Sequence, residues 1–469
     1  MSQSSPQSTV ERVLQLARAD ACMVLVQETS TANLRWAGNT LTTNGVTQGR
    51  TVTVIALTET GQGTSVGVME RSGLRDDELE DLVRAAETAS RDAVPAEDAL
   101  PLLGPEAVGT GGDWDAAPAS TGISVFSDFA PGLGQMFDRC SAADRLLYGY
   151  AEHEVTSTFF GSSTGVRLRH DQPTGTVELN AKSAPPATGG GHSTWVGRAT
   201  RDFTDIDVDA LDAELGRRMA WAHRRVDLPA GRYETLLPPT AVADMMVNLY
   251  WSTGARDAAE GRTVFSSADG GTRIGERLCG LPLTLYSDPA EPGLECAPFT
   301  LAATPGRRVT AFDNGLPLHR TEWISAGRLA SLGQTRYSAR LTGLPVTAYA
   351  DNLVLELPEA SATLEDMIAR TERGLLLTCL WYIRTVDPQS LLLTGLTRDG
   401  VYLVEDGEIT GAVNNFRFNE SPVGLLERAT EAGTTVPGLS RELGDYFSRT
   451  AMPPLRVPDF NMSTVSQAS

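Results

Sequence analysis

The chain has 469 residues, 41% of them hydrophobic, which is more than one minimal core requires and predicts two large domains. Its 39 lysine plus arginine residues against 59 aspartate plus glutamate give a formal charge of −20, a surface that repels phosphate backbones and excludes nucleic acid as a partner. Lys182 is the single lysine, so mechanisms needing several amines, and a Gly-rich phosphate loop closing on Lys-Ser or Lys-Thr, are excluded as well.

The first element in chain order is announced by Ser8-Thr9-Val10-Glu11, a capping-box pattern, with Val10, Val13, Leu14 and Ala17 on one helical face. A β-rich run follows: Cys22 to Glu28 reads as a buried strand, Ala32, Leu34 and Trp36 alternate, and Thr51 to Leu57 alternates again after a turn expected at Asn44-Gly45. Leu79, Leu82, Val83 and Ala86 carry a helical period through a segment that starts near Gly73 and fades before Pro95. From Leu100 to Ser120 the composition shifts to Gly, Pro, Ala and Asp, a long surface connection. Arg145 to Lys182 reads as three strands with turns at 161–165 and 171–175, and Ser183 to Gly191 as a flexible loop. A strand from Thr194 to Arg201 precedes a helix from about Val208 to Arg225, with Leu211, Leu215 and Met219 on its apolar side.

The second half opens with a strand, Arg232 to Leu236, and a helix begun by Pro238-Pro239-Thr240 that carries Val242, Met245, Met246 and Leu249. Short strands and turns dominate the rest, apart from a helix at Thr363 to Arg373 and a hairpin at Gly400 to Ile409 around Asp406-Gly407. The expected fold class is α+β, with β-rich antiparallel sheets, a few flanking helices and two domains, 1–226 and 227–469.

Chemistry-bearing patterns are sparse. The histidines are His153, His170, His192, His223 and His319; the closest two are 17 positions apart, so no helix turn carries a metal-binding pair. His153-Glu154 begins a His-Glu-x-x-His pattern, but Ser157 stands in the second histidine's place. Gly161-Ser162-Ser163-Thr164-Gly165 matches a nucleophile elbow in letters, while the strand-like flanks favour a hairpin turn. Asp205, Asp207 and Asp209 begin like a calcium loop, yet Ala210 and Gly216 replace its obligatory glycine and glutamate, and helix capping is the expected role. Arg167, Arg169, Arg198 and Arg201 could face an anion from adjacent strands, although exposed strand arginines usually only solubilise. Cys22, Cys140, Cys279, Cys296 and Cys379 are scattered, form no Cys-x-x-Cys pair and read as buried core residues in a reducing cytoplasm. No signal peptide and no run of roughly 18 apolar residues is present, so a soluble cytoplasmic protein without a membrane partner is expected.

Several phrases, in their order and spacing, resemble the TldD/PmbA family. They are Asn33-Leu-Arg-Trp-Ala-Gly-Asn-Thr40, Gly161 to Val166, Leu236-Leu-Pro-Pro-Thr-Ala-Val-Ala243, Phe312-Asp-Asn-Gly315, Gly400 to Ile409, Val413-Asn-Asn-Phe-Arg-Phe418 and Met452-Pro-Pro-Leu-Arg-Val457. The resemblance implies a two-domain chain from a family in which TldD and TldE form a heterodimeric zinc metallopeptidase acting on unfolded or leader peptides. TldD-type members carry His-Glu-x-x-x-His on the helix after the Pro-x-Ala-Val phrase and a late cysteine. Here the matching positions fall at about Val247, Asn248 and Ser252, and no cysteine follows Cys379. The resemblance therefore points to the TldE-like branch, with no cofactor in this chain, no catalytic or metal-binding residue carried over, and zinc expected in a TldD-like partner bearing His-Glu-x-x-x-His. The alternative it leaves is one half of such an enzyme pair recruited to natural-product biosynthesis, on a modified peptide or small molecule; a scaffold without an enzymatic partner is the third reading.

Overall fold

The computed structural model describes residues 4–183 and 192–466, and most of the Gly- and Pro-rich segment expected as a flexible loop lies outside them. The chain begins with helix α1 (Pro6–Leu16), strands β1 (Ala21–Trp36), β2 (Leu41–Thr60) and β3 (Gly63–Ser72), and helix α2 (Leu79–Asp92). After a largely irregular stretch come α3 (Phe129–Ala142), β4 (Arg145–Ser162), β5 (Arg167–Ser183), β6 (Ser193–Thr200) and α4 (Val208–Trp221). The six strands form one antiparallel sheet in the order β3-β2-β1-β4-β5-β6.

Because side chains alternate across a strand, the even-numbered residues of β1 share one face. Cys22, Val24 and Val26 pack there beneath α1 and α2, and Ala32, Leu34 and Trp36 beneath α3 and α4. Met23 and Leu25 point to the other face and meet Phe299, Ala311 and Phe312 from the second half of the chain. The helices thus cover one side of the sheet, and the C-terminal half closes on the other.

That half begins with β7 (Arg225–Val226), β8 (Gly231–Leu237), α5 (Pro239–Trp251), the short α6 (Ala255–Ala259) and β9 (Thr284–Ser287). Then follow β10 (Thr321–Ser325), β11 (Arg328–Leu329), α7 (Arg336–Thr342), β12 (Leu353–Glu356), α8 (Leu364–Ala369), β13 (Arg373–Leu377), β14 (Leu380–Asp387) and β15 (Leu392–Thr397). The chain ends with β16 (Val401–Glu405), β17 (Glu408–Val413), β18 (Phe416–Glu420), α9 (Pro422–Arg428), β19 (Glu431–Ala432), β20 (Val436–Pro437), β21 (Thr450–Met452) and β22 (Leu455–Val465). Two more sheets result, ordered β11-β10-β9-β12-β21-β20 and β14-β15-β18-β22-β8-β13-β16-β17-β7, with β19 also paired to β22. They are mostly antiparallel, with parallel pairs at β12/β21, β8/β13 and β7/β17. Their shared core wraps α5, whose Val242, Met245, Met246 and Leu249 are fully buried. The fold is α+β.

Several local expectations need correction. The cap of α1 is Ser5, whose side chain accepts from the Ser8 amide, because Pro6 at the first helical position needs no partner for its nitrogen. The first hairpin turns at Gly38-Asn39, both at positive φ, and Asn44 and Gly45 lie within β2 opposite Leu34 and Asn33. Residues 171–175 are no turn: β5 runs straight through Pro173, because β6 begins to pair only at Gly175 and an open edge tolerates the missing N–H. The α2 segment starts at Leu79 after a single 3₁₀ turn, α4 stops at Trp221, and α8 ends at Ala369 so that Arg373 can open β13. The helix α3, with Phe129, Leu133, Met136 and Cys140 buried, has no counterpart in the sequence reading.

Candidate functional site

The second face of the N-terminal sheet changes character along its length. Beyond the apolar contact of Met23 and Leu25 it becomes polar: Glu154 lies opposite Thr31 on one side and Thr174 on the other, so all three share that face. Glu154 accepts from the hydroxyls of Thr31 at 3.3 Å and Thr156 at 3.1 Å, and Tyr150 donates to Glu152. A cleft of about 550 Å³ separates Glu152, Glu154, Thr174 and Thr176 from Asp351 and residues 444–449 of the C-terminal half. Four carboxylates, those of Glu152, Glu154, Asp351 and Asp445, meet one cation there, Arg449.

Arg449 also lines a neighbouring cleft of about 480 Å³, between His170 to Thr174 of β5 and residues 291–295. Its guanidinium donates to Thr174 Oγ1 and forms no ion pair among the described residues. Burial holds its affinity for the proton below the usual arginine value, with Asp351 opposing. In the same cleft burial lowers the His170 pKa, and its Nε2 lies 2.9 Å from Gln172 Oε1.

A third cleft, of about 250 Å³, adjoins the first through Asp351, Tyr446 and Phe447 and reaches the C-terminal end of α5 at Tyr250 and Trp251. Its wall is an aromatic cluster: Tyr250 packs edge-on against Trp323, Tyr349 and Phe447, with centroids 5.1, 5.3 and 5.8 Å away. Tyr349 stacks on Trp323 at 5.5 Å, and Arg308 lies over the Tyr349 ring at 4.1 Å.

The helix that the resemblance singles out is filled with structural interactions. Val247 is fully buried, Asn248 Nδ2 donates to the Asp244 carbonyl at 2.8 Å, and Ser252 Oγ donates to the Asn248 carbonyl at 2.9 Å. Valine offers no lone pair, and the other two turn back on their own helix, so these positions do not fit zinc. Among the described residues, no group of three His, Cys, Asp or Glu side chains is placed to hold a metal ion. On the same helix Asp244 is wholly buried, and desolvation raises its pKa to about 7. Its Oδ1 accepts from Ser440 Oγ at 2.5 Å and the Glu442 amide at 3.0 Å, while Oδ2 has no partner among the described residues.

The remaining candidates stand apart from one another. His153 is buried in β4, its ring nitrogens 2.7 Å from Thr121 Oγ1 and 2.8 Å from the Arg201 carbonyl. Residues 163–166 make the β4–β5 turn, in which Ser162 Oγ pairs with Thr164 Oγ1 at 2.6 Å and Ser163 Oγ accepts from the Cys22 amide at 3.1 Å. Asp207 caps α4 through the Ala210 amide at 3.0 Å, and Asp209 pairs with Arg139. Arg167, Arg169, Arg198 and Arg201 are each matched by a carboxylate, of Glu11, Asp171, Glu214 and Glu295, so they form no open anion face. All five cysteines are buried free thiols, and burial pushes those of Cys22, Cys296 and Cys379 up to about 12, far from a reactive thiolate. The sequence reading missed Arg308, Arg449 and Asp244, since no local pattern marks residues whose meaning comes from distant neighbours.

Known proteins share this architecture. The sequence profile of the PmbA/TldA metallopeptidase C-terminal domain matches residues 230–464, half of the chain. TldE from Thermococcus kodakarensis superposes with a TM-score of 0.76 at 16% identity, covering 98% of this chain and 99% of its own. A protein of Bacteroides thetaiotaomicron described as a modulator of DNA gyrase gives 0.73 at 15% identity with 98% of each chain covered. One of Thermotoga maritima, described likewise, gives 0.74 at 15% identity, covering 97% of this chain and 99% of its own. No functionally curated protein matches the sequence. The profile match over half the chain, on the sheets and helix that hold the clefts, makes this protein a member of the TldD/PmbA family.

Proposed function

We propose that the chain is a non-catalytic, TldE-like subunit of a heterodimeric zinc metallopeptidase that processes unfolded or leader peptides in the cytoplasm. The observation that supports this reading most is α5: the positions where a TldD-type member carries His-Glu-x-x-x-His fall at about Val247, Asn248 and Ser252, engaged in packing and in bonds to their own helix. Zinc and the general base then belong to a TldD-like partner. What this chain supplies is a shaped wall, the polar sheet face and the adjoining clefts, against which an extended peptide is held while the partner cleaves it.

The test is co-expression with a TldD-family subunit that carries His-Glu-x-x-x-His, followed by size exclusion, metal analysis and a peptidase assay. A stable complex is expected, with zinc and activity that both vanish when the partner's motif is mutated. A monodisperse monomer of this chain that hydrolyses peptides unaided would overturn the reading.

A further inference from the structure

Three arginines line the three clefts. Arg201 is paired with Glu295, whereas Arg308 and Arg449 form no ion pair among the described residues. Arg449 is spent on Thr174 beside four carboxylates, which leaves no net positive field for an anion. Arg308 is placed differently. One guanidinium nitrogen, Nη1, donates to the Trp251 carbonyl at 3.2 Å, and the Tyr349 and Tyr250 rings hold the group at 4.1 and 5.4 Å. Among the described residues Nε and Nη2 have no protein acceptor, so part of the guanidinium stays free where Arg308 lines the cleft, and a guanidinium edge can grip a carboxylate through two parallel hydrogen bonds.

A second, independent observation comes from the same wall. Thr300, only 6% exposed, keeps its hydroxyl without any hydrogen-bond partner among the described residues. Such a buried orphan costs stability unless something satisfies it. The lining mixes the apolar side chains of Phe299, Leu301, Leu318 and Phe447 with the polar groups of Tyr349, Tyr446 and Asp351, and its volume of about 250 Å³ suits one amino-acid residue rather than a long ligand. Asp351 lines both this cleft and the acidic one of Glu152, Glu154 and Asp445.

We propose that this third cleft binds the C-terminal residue of a peptide, its free α-carboxylate on Arg308 and Thr300 and its apolar side chain among Phe299, Leu318 and Phe447. The charge pattern sets the direction of the chain. The carboxylate enters the cleft that holds the unpaired cation, and the preceding residues run along the acidic cleft, which repels a second carboxylate and accepts amide or cationic groups. The proposal deepens the peptide-processing reading and rests on it for its substrate class, but binding itself needs only this chain.

The test is titration of the purified full-length chain with fluorophore-labelled Gly-Gly-Phe ending in a free carboxylate or in an amide, followed by anisotropy. The free acid is expected to bind about tenfold more tightly than the amide, and Arg308→Gln to abolish that preference. Thr300→Val, nearly isosteric, is expected to weaken the acid several-fold and leave the amide unchanged. If Arg308→Gln fails to fold, judged by its circular dichroism and melting, the Thr300→Val result decides. Equal binding of acid and amide, or no saturable binding of either, overturns the proposal. A complex that assembles and cleaves while this chain shows no such preference would sink the inference alone; the preference without any assembly would sink the partner reading alone.

Discussion

The two halves of the chain reach their sheets by opposite routes. In the N-terminal sheet every neighbour but one follows in sequence, β1–β2–β3 and β4–β5–β6, with the single long step at Met23 opposite Ser162. In the C-terminal half the neighbours are distant: Leu237 pairs with Leu455, Thr235 with Leu375, and Arg225 with Ala412. The first half is therefore specified by hairpins and alternation, and the second by contacts whose loop-closure entropy must be overcome before they contribute. Two of the three clefts lie where the halves meet, and the third adjoins them within the second half. The first two combine residues of β4 and β5 with segments around 293, 351 and 446, and the third joins the end of α5 to segments around 300, 350 and 446, so they exist only once the distant pairings have formed.

The contrast predicts where the molecule breaks. Phe460 of β22 is fully buried, pairs with Tyr233 and packs on Phe418 at 5.8 Å, so it fastens the last strand of the chain to β8 and β18 on either side of it. Phe460→Ala is expected to cost about 3–5 kcal/mol in denaturant unfolding, whereas Val46→Ala near the tip of the first hairpin should stay within about 0.5 kcal/mol. Val46 is 45% exposed. Comparable losses from the two would erase the distinction between a locally and a distantly fastened half.

Asp244 sharpens it further, because it ties α5 to the segment that borders the clefts. Its folded pKa of about 7 lies above the value near 3.9 of an unfolded aspartate, so the folded state holds the proton more tightly. The stability that this carboxyl contributes is complete below about pH 4 and is lost as pH rises to about 7. Asp244→Asn keeps an oxygen for Ser440 and the Glu442 amide and removes the buried charge. Relative to the wild type it should gain on the order of 2–4 kcal/mol at pH 8 and nothing at pH 4, measured by thermal melts across that range. A gain independent of pH would mean that Asp244 is not the titrating group.

What could be read from the sequence follows the same division. The strands around Val24 and Val54, the cap at Asp207, the helix after Pro239 and the Asp406-Gly407 hairpin were legible because each is set by neighbours within a few residues. The first turn was misplaced because both Gly38-Asn39 and Asn44-Gly45 can supply positive φ, and only the register against β4, more than a hundred residues on, chooses between them. That Val247, Asn248 and Ser252 carry neither imidazole nor carboxylate is a matter of residue identity alone. Arg308 and Arg449 were not legible, since an arginine acquires its meaning from which carboxylates fail to reach it, and that depends on the whole fold.

Within the N-terminal half a steric test comes next in size. A Cβ at Gly149 of β4 would stand 2.4 Å from Trp36 Cζ2 and 2.3 Å from the Glu178 carbonyl oxygen, both fixed by the sheet and by α3. Gly149→Ala should cost about 1–3 kcal/mol as overpacking, and combining it with Trp36→Phe should recover part of that loss. If the loss is unchanged in the double variant, the backbone contact rather than the indole is responsible.

The smallest effect belongs to the ion pair joining α1 to the β4–β5 hairpin. Arg167 donates to both oxygens of Glu11, at 2.6 and 2.9 Å, and this hydrogen bonding holds the Glu11 carboxyl below the usual glutamate range. Because the folded pKa is depressed, the contribution is present above the unfolded value and is lost as pH falls through the folded one. Glu11 is nearly half exposed, so solvent screening limits the pair to less than about 1 kcal/mol despite its two-pronged geometry. A double-mutant cycle of Glu11→Gln and Arg167→Gln should show that coupling at pH 7 and lose it in high salt. Coupling well above that ceiling, or indifferent to salt, would mean that the first helix is fastened electrostatically rather than by Val10 and Val13, which are fully buried against the sheet. The locally fastened half would then depend on a surface charge, and the contrast with the C-terminal half would have to be redrawn.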